Sequence, residues 1–380
     1  MHRLQAEHLY KVFGPDPEDG VRRLRDGAGR DELRESGTTA AVIDAGFDVH
    51  EGEIFVVMGL SGSGKSTLLR TLNGLLPPTS GRVLFDGRDL TALSPRELRR
   101  VRSHGISMVF QHFALFPHRT VLENAAYGLE VQGVGRTERE ERAAQALELT
   151  GLAGWGDSWP DELSGGMQQR VGLARALATD ADVLLMDESF SALDPLIRRD
   201  MQDQLLELQR ALKKTIVFIT HDLNEAMRLG DRVAVMRDGR IVQIGTPEDI
   251  LLRPADDYVA SFVHDVDRSR VLTAGTVMEP PSGSDTGDCR CESVDPRTPL
   301  ADVLPVSART PHPVTVRDRS GDVVGVIAQE RLLACLGSYE GPPAACTDEA
   351  APAASAPAAS APAAAAPDVP AQARKEAARA

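Results

Sequence analysis

The sequence is short of cysteine, of long apolar runs and of excess positive charge, and each shortage excludes something. Its four cysteines, Cys289, Cys291, Cys335 and Cys346, all fall in the last quarter of 380 residues. The Cys-x-Cys pair has no neighbouring second pair at zinc-ligand spacing, so ordinary reduced thiols are expected rather than a metal site. No uninterrupted apolar run approaches the roughly 20 residues that span a bilayer, and the amino-terminal MHRLQAEHLY lacks the apolar core of a signal peptide. A cytoplasmic chain is expected, with any membrane association passing through a protein partner. Lys plus Arg number 42 against 56 Asp plus Glu, which argues against general attraction to nucleic acid or anionic lipid.

Residues 1 to about 267 alternate short apolar runs with amphipathic stretches, the pattern of an α/β domain. Ile54 to Met58 (IFVVM), Val183 to Met186 (VLLM) and Thr215 to Ile219 (TIVFI) read as buried parallel strands, each ending where a motif begins. A charged insert from Pro15 to Gly37 reads as a solvated excursion or a short surface helix. Residues 268–293, rich in Pro, Gly and Ser, are expected to be a linker. The stretch 294–340 reads as a small folded unit. From 341 to 380 the APAAS repeats hold too little apolar bulk to bury and too much proline for a continuous helix, so a disordered Ala/Pro tail is expected.

Gly59-Leu60-Ser61-Gly62-Ser63-Gly64-Lys65-Ser66-Thr67 fits G-x-x-x-x-G-K-[ST] between a predicted strand and a predicted helix, the context that makes this pattern a phosphate-binding loop. Glycines let backbone N–H groups close around phosphates. Lys65 neutralises β/γ oxygens, and Ser66 offers a hydroxyl to Mg²⁺ at a helix amino terminus already favourable to anions. A merely structural Gly-rich turn would not need the Lys, the Ser and both flanking elements together. At the end of a later strand, Asp187 and Glu188 are adjacent carboxylates with separate expected tasks: Asp187 to hold Mg²⁺, Glu188 to orient and polarise an attacking water. A helix-capping Asp-Glu pair would leave the preceding strand unexplained.

Between these two features lies LSGGMQQR, Leu163 to Arg170. In this order the three pieces resemble the nucleotide-binding subunit of an ABC transporter. The resemblance implies that Ser164, Gly165 and Gly166, with Gln168, hold the γ-phosphate of an ATP bound mainly by a second copy of the chain. It further implies that Gln111, in MVFQHFALFPH, reaches the metal and the water, and that His221, in FITHD, contacts the γ-phosphate. Asp194, in SALDP, would couple two active sites across a dimer. Phe13, in KVFG, would stack on adenine, with Tyr10 as a competitor for that role. His104, His112 and His118 lack such support and read as surface or packing residues.

The wording beyond the shared motifs, notably the insert after Phe13 and DPLIRRDMQDQL, is similar to ATP-binding subunits of glycine betaine/proline importers, over most of residues 1 to 270. That family implies a helical subdomain at about 112–170, an ATP-sandwich dimer, separate permease chains, an extracytoplasmic solute-binding protein, and a place on the cytoplasmic face of the membrane. Nucleic acid is not an expected partner. Two departures stand out. Ser189 follows Glu188 where the family usually has alanine. The family typically carries two CBS repeats, whereas here one is recognisable, roughly Val294 to Leu336, with Ala274 to Pro281 resembling a fragment of the missing first. A single repeat either pairs across the dimer or is degenerate. The expected architecture is thus a P-loop ABC-type nucleotide-binding domain with a helical subdomain, plus a partial CBS-like α+β module. An importer for another polar solute, such as a polyamine or an amino acid, and a soluble non-transport ABC ATPase remain the rival functions.

Overall fold

The computed structural model describes residues 2–111, 113–191, 193–281, 292–310 and 312–337. The expected tail, Cys289, Cys291, Cys346, His112 and part of the expected linker lie outside the described residues.

The central layer is a six-stranded sheet in the spatial order Arg240–Gly245, Arg232–Arg237, Ile54–Met58, Thr215–Thr220, Val183–Asp187, Ile106–Val109. Every neighbouring pair is parallel except the first, which is a hairpin. The runs IFVVM and VLLMD are buried at every position, as strands covered on both faces must be. Beside it, a four-stranded antiparallel sheet orders Thr39–His50, His2–Phe13, Ser80–Phe85 and Arg88–Asp89. The two sheets share a core in which Leu4, Phe47 and Val83 meet Phe55, Leu68 and Leu185.

The insert after Phe13 is more than a solvated excursion. It folds as two helices, Pro17–Arg25 and Arg30–Glu35, the first capped by the Asp16 side chain accepting from Asp19 N–H at 3.0 Å. Their few apolar residues, Val21, Leu24 and Leu33, are buried against Tyr10 and Val12 of the first strand. High charge density hid a narrow apolar stripe.

Three helices, Val121–Gln132, Arg136–Leu149 and Gly165–Ala178, pack on one another through small and aliphatic side chains such as Ala125, Ala146 and Ala174. The third helix runs past residue 170. Among the described residues no helix is long and apolar enough to cross a membrane.

The carboxyl-terminal module is a three-stranded sheet, Ser293–Val294, Val314–Arg317 and Val323–Ile327, with helices Leu300–Arg309 and Gln329–Leu336. Residues 268–281, expected as linker, are folded onto it. Leu272, Ala274 and Val277 are buried in the same core, Thr273 bridges to Pro299, and Glu279 exchanges backbone hydrogen bonds with Val326 at 2.9 Å. Ala274 to Pro281 therefore packs into this module. Its sparse apolar residues are spent on docking, which composition alone does not reveal.

Candidate functional site

Strand order explains the site. Four parallel neighbours, Ile54–Met58, Thr215–Thr220, Val183–Asp187 and Ile106–Val109, end on the same edge, and the residues just beyond those ends are the phosphate loop, His221, Glu188 and Gln111. In open parallel sheets that edge is where ligands bind. Residues up to 156 positions apart, Lys65 to His221, are brought together by four strand ends.

The loop from Gly59 to Gly64 wraps back over the start of helix Lys65–Leu72. Gly64 sits at φ +105°, and a Cβ there would lie 2.1 Å from the Ala41 carbonyl oxygen, so only glycine fits. Lys65 is buried, its ammonium donating to the carbonyls of Gly59 at 2.8 Å and Leu60 at 3.1 Å while facing Glu188 Oε1 at 3.5 Å. Burial pushes this ammonium below its ordinary pKa, against the opposing pull of Glu188 and Asp187.

Ser66 Oγ donates to Asp187 Oδ1 at 3.0 Å. Asp187 is buried, and the nearest guanidinium, that of Arg70, stands 3.7 Å from Oδ2. Burial pushes its carboxyl up, while the Ser66 hydroxyl and Arg70 pull it down. A buried carboxylate with a hydroxyl beside it, paired only loosely with Arg70, fits a hard divalent cation, whose preferred ligands are oxygens.

Glu188 occupies a left-handed backbone conformation, φ +41°, its N–H held by the Ile219 carbonyl at 3.0 Å. One carboxylate oxygen meets His221 Nδ1 at 3.0 Å and accepts from Gln111 Nε2 at 3.4 Å; the other faces Lys65. A strained, over-determined carboxylate of this kind is a mark of a functional position. Gln111, Lys65, Ser66, Asp187, Glu188 and His221 are thus one cluster.

The remaining candidates lie apart from it. Ser164 caps helix Gly165–Ala178 and, with Gly165, is exposed; no hydrogen bond joins it to this chain's phosphate loop among the described residues. Gln168 Nε2 donates to the carbonyls of Pro160 and Leu163, which shapes the turn carrying Ser164. Asp194 is an exposed helix cap with no side-chain bond to its own helix. Phe13 is 41% exposed with Lys11 Nζ 5.1 Å above its ring, whereas Tyr10 is 6% exposed and belongs to the core, which removes Tyr10 as the adenine-stacking competitor.

Two contributors escaped sequence reading. Arg175, half-buried on the helix after LSGGMQQR, donates to the carbonyls of Phe113 at 3.0 Å and Ala114 at 2.6 Å, fixing the segment after Gln111. Glu225, four residues after His221, is buried, accepting from Thr220 Oγ1 and, at 3.1 Å, from Gln202 Nε2. Each is an ordinary residue of an amphipathic helix in the sequence. Only their hydrogen-bond partners in the folded chain signal a role.

A family model described as "ABC transporter" matches residues 42–191. The glycine betaine/carnitine transport ATP-binding protein of Listeria monocytogenes is 58% identical over 279 residues, 73% of this chain and 70% of that protein. The glycine betaine/proline betaine transport system ATP-binding protein of Salmonella typhimurium is 48% identical over 349 residues, 91% of this chain and 86% of that one. A solved dimeric bacterial ABC transporter cassette superposes with a TM-score of 0.55 at 31% identity, covering 64% of this chain and 98% of that structure. Identity of 48–58% over most of the chain, around a phosphate loop and signature of the expected form, places the chain in the family of ABC transporter ATP-binding subunits, among those of glycine betaine transport systems.

Proposed function

We propose that this chain hydrolyses ATP to energise import of glycine betaine, proline or a related compatible solute through a separate permease, to which it docks on the cytoplasmic face of the membrane. The observation that carries this is the 48% identity extending over 86% of a glycine betaine/proline betaine transport protein, well beyond the motifs all ABC ATPases share.

In this reading the Phe13 ring stacks on adenine, the backbone from Gly59 to Gly64 and the Lys65 ammonium hold the phosphates, and Thr67 closes the loop's helical end. Ser66, Gln111 and Asp187 hold Mg²⁺, which when bound neutralises phosphate charge. Glu188 orients the attacking water and takes its proton, while His221, fixed against Glu188, donates toward the γ-phosphate. Ser164, Gly165 and Gly166, shaped by Gln168, are free to meet the ATP of a second copy, with Asp194 between the two sites. The exposure of Ser164 and Gly165 at the start of their helix supports that use. The Gln111 segment, held by Arg175, passes the closing motion to the permease, and a separate solute-binding protein delivers cargo from outside.

Uptake of radiolabelled glycine betaine, proline and choline in a strain lacking this subunit tests the reading. Restoration of betaine or proline uptake by the wild-type chain, and not by a Lys65→Ala variant, is expected. Restored uptake of a polyamine or an amino acid other than proline in their place would reassign the cargo.

A further inference from the structure

At the far end of the parallel strands from the phosphate loop, a group of side chains serves no part of the ATP chemistry. His2 opens the first strand and stands in register opposite His50, which closes the second. Asp48 precedes His50 by two positions and so shares its face of the sheet. Asp48 Oδ2 lies 3.1 Å from His2 Nδ1 and 3.3 Å from His50 Nε2, and the three ligand atoms all fall within 4.8 Å of one another. It is the only such group of histidine, cysteine or carboxylate side chains among the described residues.

The hydrogen bonding around His50 makes this more than a surface coincidence. Its Nδ1 meets Glu53 Oε2 at 2.9 Å, and Glu53 is buried and further fixed by accepting the His50 backbone N–H at 2.6 Å. A neutral imidazole has one N–H. In the tautomer whose proton is directed at Glu53, Nε2 turns a lone pair toward the Asp48 carboxylate, an arrangement that a cation between them would satisfy. A carboxylate on the distal nitrogen is also how metal-binding histidines are oriented and made more basic. Arg232 does not fill the place: its Nη1 donates to the Asp48 carbonyl at 3.2 Å and Glu53 Oε1 at 3.3 Å, lies 3.4 Å from His50 Nδ1, and stands 3.6 Å from Asp48 Oδ2. Ligand atoms bound at about 2.0–2.2 Å in a tetrahedral zinc site sit roughly 3.3–3.5 Å apart. The two carboxylate-to-imidazole separations are already near that value.

We propose that His2, Asp48 and His50 bind one divalent transition-metal ion of the zinc class, with Glu53 as the orienting carboxylate, and that the ion ties the first strand to the second. Imidazole plus carboxylate suits zinc, and nickel or copper by the same chemistry, over magnesium or calcium. The ion differs from the Mg²⁺ of hydrolysis, since the five-residue strand Ile54–Met58, about 17 Å long, separates Glu53 from the phosphate loop.

Untagged full-length protein, stripped with a chelator, is titrated with Zn²⁺ by calorimetry, and melting is followed with and without the ion. One saturable equivalent is expected to disappear in both His2→Ala and His50→Ala, together with the Zn²⁺-dependent rise in Tm. Glu53→Gln should weaken binding by about 10- to 100-fold. Cobalt substitution separates this site from the cysteines, because a nitrogen and oxygen site lacks the intense thiolate-to-cobalt absorption. ATPase activity of His2→Ala should match the wild type, and should His50→Ala fail to fold, the His2→Ala titration alone decides. An unchanged number of Zn²⁺ ions in His2→Ala, or thiolate bands accounting for all bound cobalt, overturns the proposal, as does a proton being the only cation His50 takes up.

Discussion

Replacing Glu188 by Gln keeps the shape of the side chain and removes one charge from a position 3.0 Å from His221 Nδ1, 3.4 Å from Gln111 Nε2 and 3.5 Å from Lys65 Nζ. Two effects of opposite sign are expected. Turnover falls, because an amide cannot take the proton of the attacking water. A positioned general base is worth roughly 10²- to 10⁴-fold, or about 2.7 to 5.4 kcal/mol of barrier. ATP affinity holds or rises, because Glu188 faces the Lys65 ammonium and an incoming phosphate must compete with it. The neutral amide neither competes as well nor repels phosphate. Phosphate release gives kcat, equilibrium binding of a fluorescent ATP analogue gives affinity, and size-exclusion chromatography with ATP reports a trapped dimer. Wild-type turnover in Glu188→Gln would remove Glu188 as the base. A loss of ATP affinity in step with turnover would show instead that the charge serves binding, and that the competition inferred at Lys65 is wrong.

Gly64→Ala and Gly62→Ala form a matched pair: both positions have positive φ, but an added Cβ meets the Ala41 oxygen at 2.1 Å in the first and nothing within 4 Å in the second. Each should lose about 1–2 kcal/mol to backbone conformation, and Gly64→Ala a further 1–3 or so to overpacking; equal urea midpoints would refute the steric account. Arg175→Ala strips the donors from the Phe113 and Ala114 carbonyls, so solute uptake by the assembled transporter should drop more than basal ATP hydrolysis by the subunit, and an equal drop in both would place Arg175 outside the coupling segment. Burial pushes the Glu225 carboxyl up. An acid whose folded pKa lies above its unfolded value costs stability as pH rises from the ordinary glutamate range, about 4.3, through the raised value. Glu225→Gln should therefore flatten the fall in stability over that interval, measured by urea unfolding at a series of pH values, and an unchanged slope would show that the Thr220 and Gln202 hydrogen bonds offset the burial.

Much of the site was legible because its chemistry is local. The phosphate loop, the Asp187-Glu188 pair and LSGGMQQR each need consecutive residues of fixed type, so each announces itself in a short window. What stayed hidden depends on burial. Leu33 reads as part of a charged insert and is fully buried. Leu272, Ala274 and Val277 read as linker and belong to the core, and Arg175, Glu225 and His50 gain significance only from the partners that folding places against them, such as Phe113, Gln202 and His2.

By itself, then, the sequence determined three central strands and the loop between Gly59 and Thr67, and singled out the candidate reacting groups, since periodicity and motif spacing are properties of a few adjacent residues. The tertiary structure decided which groups share a site. Strand order brings Gln111, Glu188 and His221 to one edge beside Lys65, and leaves Ser164 and Asp194 facing outward. It also buried the Tyr10 ring and left that of Phe13 exposed. Those outcomes rest on long-range packing and on the desolvation of charges, neither of which is written in any single stretch of chain.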